Sequence, residues 1–386
     1  MPTNTVETRL PLPPLVALAM AAFVTVLTES LPAGVLPAMS RDLGVTESAM
    51  GQSVTIYAVG TALAAVPLTA ATATWRRKRL LLTGIAGFAV GNTVTAVSSD
   101  YTLTLGARFV AGLAAGLVWA LLAGYAARMV PEPVRGRAIA VVMTGIPLSL
   151  SVGVPAGTFL GGAVGWRVTF WVMTALAVVL LAWITAAVPD FPGNPRGGRV
   201  PVRQALKVPG VATIMAVTGI FVLAHSAMYT YIAPFLGDTA VDTVLLVFGV
   251  AATAGVWVVG AHIDRHLRLL TLAALTLVLV AAVLFGLGAT PYVAAALWGL
   301  GFGGIPTLLQ TAAAGSAGEA GDTAQAVLVT LWNAATAIGA VAGGIVLDTT
   351  GSTGFPWLLL AFTAFATAAV AGSRRHGFPV QAAGAS

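Results

Sequence analysis

Two charged side chains lie inside long apolar runs of this 386-residue chain, Glu29 and Arg108. An ionisable residue within a membrane span costs about 2.5–3.5 kcal/mol on insertion scales, so each marks a candidate functional site. At 1.5 Å per residue, Glu29 is about 14 residues, or 21 Å, from the start of its run, and Arg108 about six residues, or 9 Å, from the opposite start of its own. In a hydrocarbon core of ~30 Å the two therefore share one depth. Desolvation and a neighbouring cation pull a buried carboxylate's proton affinity in opposite directions. Glu29 beside Arg108 thus reads as a proton-coupling site that loads from one side and unloads to the other. The alternatives are a fixed Glu–Arg pair that never titrates and a glutamate that only binds substrate. His225 has a similar depth and titrates nearest physiological pH. It is a second candidate carrier, although a lone buried histidine is more often a hydrogen-bonding wall residue.

A substrate cavity is expected around the same layer. Tyr229 lies one turn from His225 on one helical face, and Trp119 lies close to three turns beyond Arg108. Tyr57, Asn92, Gln310 and Asn333 are further polar or amphipathic residues within apolar runs. Few polar groups among aromatics suit a small, mostly apolar ligand. Taken singly, each of these residues is more often a helix–helix hydrogen-bonding group. His262, Asp264 and His266 have a spacing a metal could use, but they fall on a motif described below, and no metal site is expected. Gly299, Gly301 and Gly304 fit a dinucleotide pattern without the strand it requires. There is no Gly-x-Ser-x-Gly, no Walker loop and no HExxH in the chain. Hydrolytic and ATP-driven chemistry are therefore not expected.

The elements that must position these residues are membrane helices. The chain is 58% hydrophobic and 8% charged, where a soluble domain carries roughly 25% charged residues. It has no cysteine, so no disulfide or thiolate site exists. With about 20 apolar residues per span, the sequence divides into about twelve, near 15–39, 48–73, 80–98, 102–129, 138–163, 168–188, 210–236, 243–261, 269–289, 291–314, 323–347 and 356–373. The first reads as a retained helix and not a signal peptide. A Pro-, Gly- and Arg-rich stretch sets the domain organisation: a six-helix bundle over 1–190, a cytoplasmic linker over 191–209, and a second bundle over 210–386. Gly145, Ser149, Gly153, Gly157, Gly161 and Gly165 recur every fourth residue in the fifth span. Such a strip lets two helices approach closely in lipid, where small residues supply much of the packing. Nearly all Arg and Lys fall at one end of the spans under an alternating count, so both termini are expected in the cytoplasm. The net charge of +6 is topology, and no nucleic-acid partner is implied.

The halves echo each other. Gly157, Gly161 and Gly162 match Gly339, Gly343 and Gly344, and Pro37 matches Pro234. Parallel six-helix halves with a midplane site are a transporter architecture.

At these residues the chain resembles the major facilitator superfamily. More narrowly it resembles the twelve-span drug:proton antiporters, in the branch of chloramphenicol, sugar and nucleoside exporters. The fifth span resembles that group's antiporter motif through Gly145, Gly153, Pro155, Gly157, Gly161 and Gly162, with Val154 separating Gly153 from Pro155. LGARFVAGLAAG resembles the buried-arginine motif around Arg108. The Gly-x-x-x-Asp-Arg-x-x-Arg gating motif is degraded in the first half, where Ala71 and Trp75 replace its glycine and aspartate beside Arg76 and Arg79. It is complete in the second, as Gly260, Asp264, Arg265 and Arg268. The resemblance implies an all-α membrane fold of two pseudo-symmetric six-helix bundles. It implies a monomeric, multi-pass protein of the bacterial cytoplasmic membrane whose partners are lipid, protons and a small-molecule substrate. No cofactor is implied; the proton gradient supplies the energy. The expected activity is efflux of a small hydrophobic compound or antibiotic such as chloramphenicol, with export of a sugar or nucleoside as the alternative. A polytopic receptor or enzyme is the non-transport alternative, and it explains neither the repeat nor the motifs.

The charge pattern makes a direct prediction. Single cysteines at Arg199 and Arg265 are expected to be shielded from an impermeant thiol reagent in intact cells, and one at Asp100 to react. Labelling at Arg199 but not at Asp100 would reverse the orientation.

Overall fold

The computed structural model describes residues 10–64, 68, 71–72, 74–131, 134–193, 202–317, 321–373 and 377–378. Twelve helices carry the fold: α1 Leu12–Asp42, α2 Glu47–Leu63, α3 Arg77–Val97, α4 Tyr101–Arg128, α5 Arg137–Val164, α6 Trp166–Ala187, α7 Val211–Thr230, α8 Val241–Ile263, α9 Arg265–Gly286, α10 Pro291–Ala317, α11 Gly321–Thr350 and α12 Phe355–Gly372. All but α2 are long and apolar enough, over the described residues, to cross a bilayer. No strand occurs among the described residues. In the linker, a short helix Val202–Lys207 packs on α11. Arg199, used above as a labelling position, lies outside the described residues.

Local chemistry sets the ends and bends. The Thr46 hydroxyl accepts from the Ala49 N–H at 3.1 Å, and the Asp100 carboxylate from the Leu103 N–H at 2.7 Å, capping α2 and α4. The seventh span is not the continuous helix expected over 210–236. It breaks at Tyr231 (φ −108°, ψ 25°) before a short turn Ile232–Leu236. Pro234 lacks the N–H that would reach the Thr230 carbonyl, and its ring crowds that carbonyl. The loop expected between the eighth and ninth spans is also absent. Val241–Gly286 is one helical run, kinked at His266 (φ −136°, ψ 31°). No Gly or Pro lies between Ala261 and Leu270 to stop it.

Helices α1–α6 form one bundle and α7–α12 the other. They meet along α2–α11 and α5–α8. The Tyr231 hydroxyl donates to the Ser48 carbonyl at 3.2 Å and to the Ala340 carbonyl at 3.0 Å. The Thr55 and Thr253 hydroxyls lie 3.4 and 3.5 Å from the Ala337 and Pro147 carbonyls of the other half, and each has a nearer acceptor in its own half, Gln52 at 3.0 Å and the Gly249 carbonyl at 2.9 Å. The Ala340 contact lies within the second half; the three that cross between halves run, by residue count, from mid-membrane to the end bearing Asp42, Asp100, Asp242 and Asp348. The conformation is therefore held together at that aspartate end.

The small-residue strip of α5 packs on α1. A Cβ on Gly145 would lie 2.0 Å from the Ala19 carbonyl oxygen. On Gly153 it would meet the Phe23 ring at 2.8 Å, on Gly157 Leu31 at 2.6 Å, and on Gly161 Val35 at 2.6 Å. One expected member does not belong to the strip: Gly165 (φ +99°) ends α5 in a conformation that favours glycine, and Gly162, a motif residue outside the strip, faces open space. A π-helical turn, Ser149–Gly153, ending just before Pro155, interrupts the four-residue register. That turn brings the Leu150 carbonyl against Gly249 of α8, where a Cβ would lie 2.0 Å away. The α11 glycines do the equivalent in the second half: Cβ atoms on Gly339 and Gly343 would strike the Leu223 carbonyl at 2.4 Å and the Tyr231 ring at 2.7 Å of the α7 segment.

These contacts rank the glycines. Gly145→Ala meets backbone and is expected to cost about 1–3 kcal/mol by overpacking. Gly157→Ala meets side-chain atoms only, the end of Leu31 at 2.6 Å and a Thr169 methyl at 3.3 Å, and should cost less, and Gly162→Ala should be neutral. Thermal melting of the purified variants checks the order, which would be refuted by a Gly162→Ala loss equal to that of Gly145→Ala.

Candidate functional site

Arg108 is fully buried, and its three guanidinium nitrogens have no hydrogen-bond partner. Glycines make this burial possible. A Cβ on Gly60 of α2 would lie 2.6 Å from the Phe109 carbonyl, and one on Gly91 of α3 2.9 Å from the Ala107 carbonyl. On α4 itself, a Cβ on Gly112 would lie 2.1 Å from the Tyr57 carbonyl. Three helix backbones therefore close around the turn that bears Arg108, and no side chain intervenes. The Tyr57 ring lies beneath the guanidinium at 4.7 Å, a cation–π contact. Its hydroxyl donates to the Thr25 carbonyl of α1 at 3.2 Å. Asn92 of α3 donates to the Thr28 hydroxyl at 3.4 Å, and its carbonyl oxygen has no partner.

Glu29, one residue beyond Thr28, is partly exposed and within electrostatic range of Arg108 without touching it. Across the junction between halves, Tyr229 of α7 is also within range of Glu29, and its hydroxyl faces Ser30. Side chains from α1, α2, α4 and α7 thus converge on Glu29.

His225 is buried in a wall of rings. It stacks on Phe302 at 3.8 Å between centroids and 8° between planes, and lies 5.2 Å from Trp298 and 5.6 Å from Tyr229. Phe248 lies 4.8 Å from Trp298. The His225 Nδ1 and Trp298 Nε1 atoms are buried without a partner. Trp332 of α11 extends the wall through Phe302 at 6.5 Å.

Of the expected cavity residues, Tyr57, Asn92, His225 and Tyr229 gather in these two clusters. Trp119 packs among apolar side chains of the first bundle. Asn333 is buried and donates to its own helix at the Val329 carbonyl, 2.9 Å away. Gln310 is exposed, and its carbonyl accepts from Gln325 at 2.7 Å. Trp298, Phe248 and Phe302 were not singled out from sequence. Their only signal was a pair of large rings set among glycines in WGLGFGG.

At the arginine-rich end the two motif copies act differently. Arg76 pairs with Asp190, just beyond α6, and the Lys78 backbone N–H donates to the same carboxylate at 3.2 Å. Desolvation is the largest single influence on the Asp190 carboxyl and raises it, but the hydrogen bonds from Arg76 and Lys78 and the charge of Arg76 together outweigh it and hold the carboxyl below the ordinary range. The contact is therefore kept at neutral pH and lost only as pH falls through that lowered value. Asp190 supplies the acidic partner that Trp75 cannot. In the second half Arg268 donates to the carbonyls of Val370, Phe378 and Ala371 at 2.8, 2.9 and 2.7 Å, holding the end of α12. Gly260 faces open space and Arg265 is exposed. The Asp264 side chain lies outside the described residues. Among the described residues no group of three or more potential metal ligands forms.

The sequence model described as Major Facilitator Superfamily matches residues 18–340. An uncharacterised transporter of that type, YtbD of Bacillus subtilis (strain 168), is 31% identical over 368 residues, covering 90% of this chain and 91% of its own. The purine ribonucleoside efflux pump NepI of Salmonella typhimurium (strain LT2) is 30% identical over 346 residues, covering 87% of each. Among solved structures, the human organic anion transporter MFSD10 (TETRAN) superposes with a TM-score of 0.69 over 93% of this chain and 99% of its own, at 15% identity. That likeness concerns the fold alone.

The cluster around Arg108 makes its own prediction. Tyr57→Phe keeps the ring beneath the guanidinium and should melt within a few degrees of the parent. Tyr57→Ala loses the ring and the cation–π contact, at a cost of about 3–5 kcal/mol by the scale of large-to-alanine changes. Equal melting of the two variants would show that the ring does not support Arg108.

Proposed function

This chain belongs to the major facilitator superfamily, and on that premise we propose that it exports a small solute in exchange for protons, with Glu29 as the proton carrier. The observation that carries the reading is the buried guanidinium of Arg108, without a hydrogen-bond partner and within range of one carboxylate where the halves meet. An ionised Glu29 balances that cation. A protonated Glu29 leaves it unbalanced, so substrate and proton are expected to alternate at the site. The proton is taken up from the aspartate side and released at the arginine-rich side, which is cytoplasmic by the positive-inside pattern. Closure at the aspartate end fits the cytoplasm-facing half of such a cycle. His225, surrounded by rings, is assigned to the substrate wall.

The substrate class follows from two supports. A relative of near-full overlap is named for purine ribonucleosides, and the wall of the second half is aromatic and suited to stacking a planar ring. We take a purine ribonucleoside or similar planar aromatic solute as the first reading. A chloramphenicol-like antibiotic is the second, favoured by the apolar character of the same wall.

Proteoliposomes with an imposed proton gradient test this. Uphill movement of inosine or adenosine is expected to exceed that of ribose, and Glu29→Gln is expected to abolish uphill movement while binding persists. Full uphill transport by Glu29→Gln would make the carboxylate structural. Transport of chloramphenicol without nucleoside would select the second reading.

A further inference from the structure

The repeated Arg-x-x-Arg element places Arg79 in the first half where Arg268 stands in the second. Arg268 is fully engaged by three carbonyls at the end of α12. In the first half that task has passed to Arg76 and Lys78, which hold Asp190 and, through Lys78 Nζ, the Thr185 carbonyl at 2.8 Å. Arg79 is thereby released. It is exposed, its guanidinium lies over the Trp75 ring at 5.4 Å, and it makes no hydrogen bond or ion pair through that guanidinium among the described residues.

Beside it opens a groove of about 600 Å³ between α3 and α6. Lys78 and Arg79 stand at its mouth, and Leu82, Ala86 and Leu181 line it further in. The surrounding surface is apolar: Val178 and Val179 of α6 are 53% and 63% exposed. A half-exposed tryptophan at this level is the kind of side chain that rests among lipid headgroups. The one carboxylate on the rim, Asp190, is already matched by Arg76. Three cations, Arg76, Lys78 and Arg79, therefore face one anion, and two of the three charges have no matching carboxylate among the described residues, although one Lys78 proton is given to the Thr185 carbonyl.

We propose that this groove is a binding site for an anionic glycerophospholipid. The phosphodiester lies against the Arg79 guanidinium and the remaining Lys78 ammonium protons. The first carbons of an acyl chain follow Leu82, Ala86 and Leu181. A zwitterionic lipid brings its own cation to a site that already has two in excess, so charge selects the anionic headgroup. Each basic residue near an anionic membrane surface is worth roughly a fivefold change in affinity. Removing both is thus expected to weaken binding roughly twenty-five-fold.

Native mass spectrometry of the full chain, with phosphatidylglycerol and phosphatidylcholine of identical acyl chains, tests the site. The parent is expected to hold one phosphatidylglycerol in clear preference. Lys78→Ser/Arg79→Ser should lose that preference, and Ala86→Phe, which fills the groove and keeps the charge, should lose it too. Arg135→Ser/Arg137→Ser, exposed at the same end, should retain it. Retention by both groove variants would overturn the proposal. So would an equal loss in the Arg135/Arg137 variant, or displacement of the lipid by deacylated glycerophosphoglycerol at equal concentration.

Discussion

A guanidinium cut off from bulk water has to find its counter-charge within the protein. Arg108 is in that position, and much of the first bundle is arranged around it. Gly60, Gly91 and Gly112 let α2, α3 and α4 approach to backbone contact. Tyr57 occupies one face of the cation and is itself fixed by the Thr25 carbonyl. The remaining polar groups of the layer, Asn92 and Thr28, belong to α3 and α1. Glu29 is the anion that this enclosure leaves within range, and it is partly exposed toward the other half. A charge balance internal to one bundle thereby reaches the surface where the bundles meet.

A separate set of glycines joins each interface helix to its own half and brings the halves into contact. Helix α5 packs its glycines on α1 and presents a backbone carbonyl, from the π turn, to Gly249 of α8. Helix α11 packs its glycines on α7 and offers Gly344 to Ser48 of α2, where a Cβ would lie 2.8 Å from the hydroxyl. Each interface helix is thus packed closely on its own half through its glycines and bears on the other half along an extended, equally close seam. That is the arrangement in which two packed bodies rock about a shared site.

Much of this was readable from residue types and spacing. Glu29 and Arg108 could be set at one depth by counting residues, because a helix in a bilayer has a fixed rise and the charges have no water to retreat to. The fifth-span strip was readable because glycine at every fourth position has few other uses in lipid. What spacing could not give was the π turn, which brings the Leu150 carbonyl against Gly249 of α8. The aromatic wall was also hidden, since its rings come from α7, α8, α10 and α11 and meet only in the folded protein. The role of Asp190 was missed for a related reason. The degraded motif showed that an aspartate was lacking at Trp75, but the replacement lies more than a hundred positions onward, at the far end of α6.

The central claim is that one carboxylate exchanges its proton for substrate. Proton release into weakly buffered detergent solution, followed with a pH dye on adding a transported nucleoside, measures that exchange without a membrane or a gradient. The parent protein and His225→Phe are expected to release protons on substrate addition, and Glu29→Gln to bind the same nucleoside and release none. Proton release by Glu29→Gln equal to that of the parent would contradict the account.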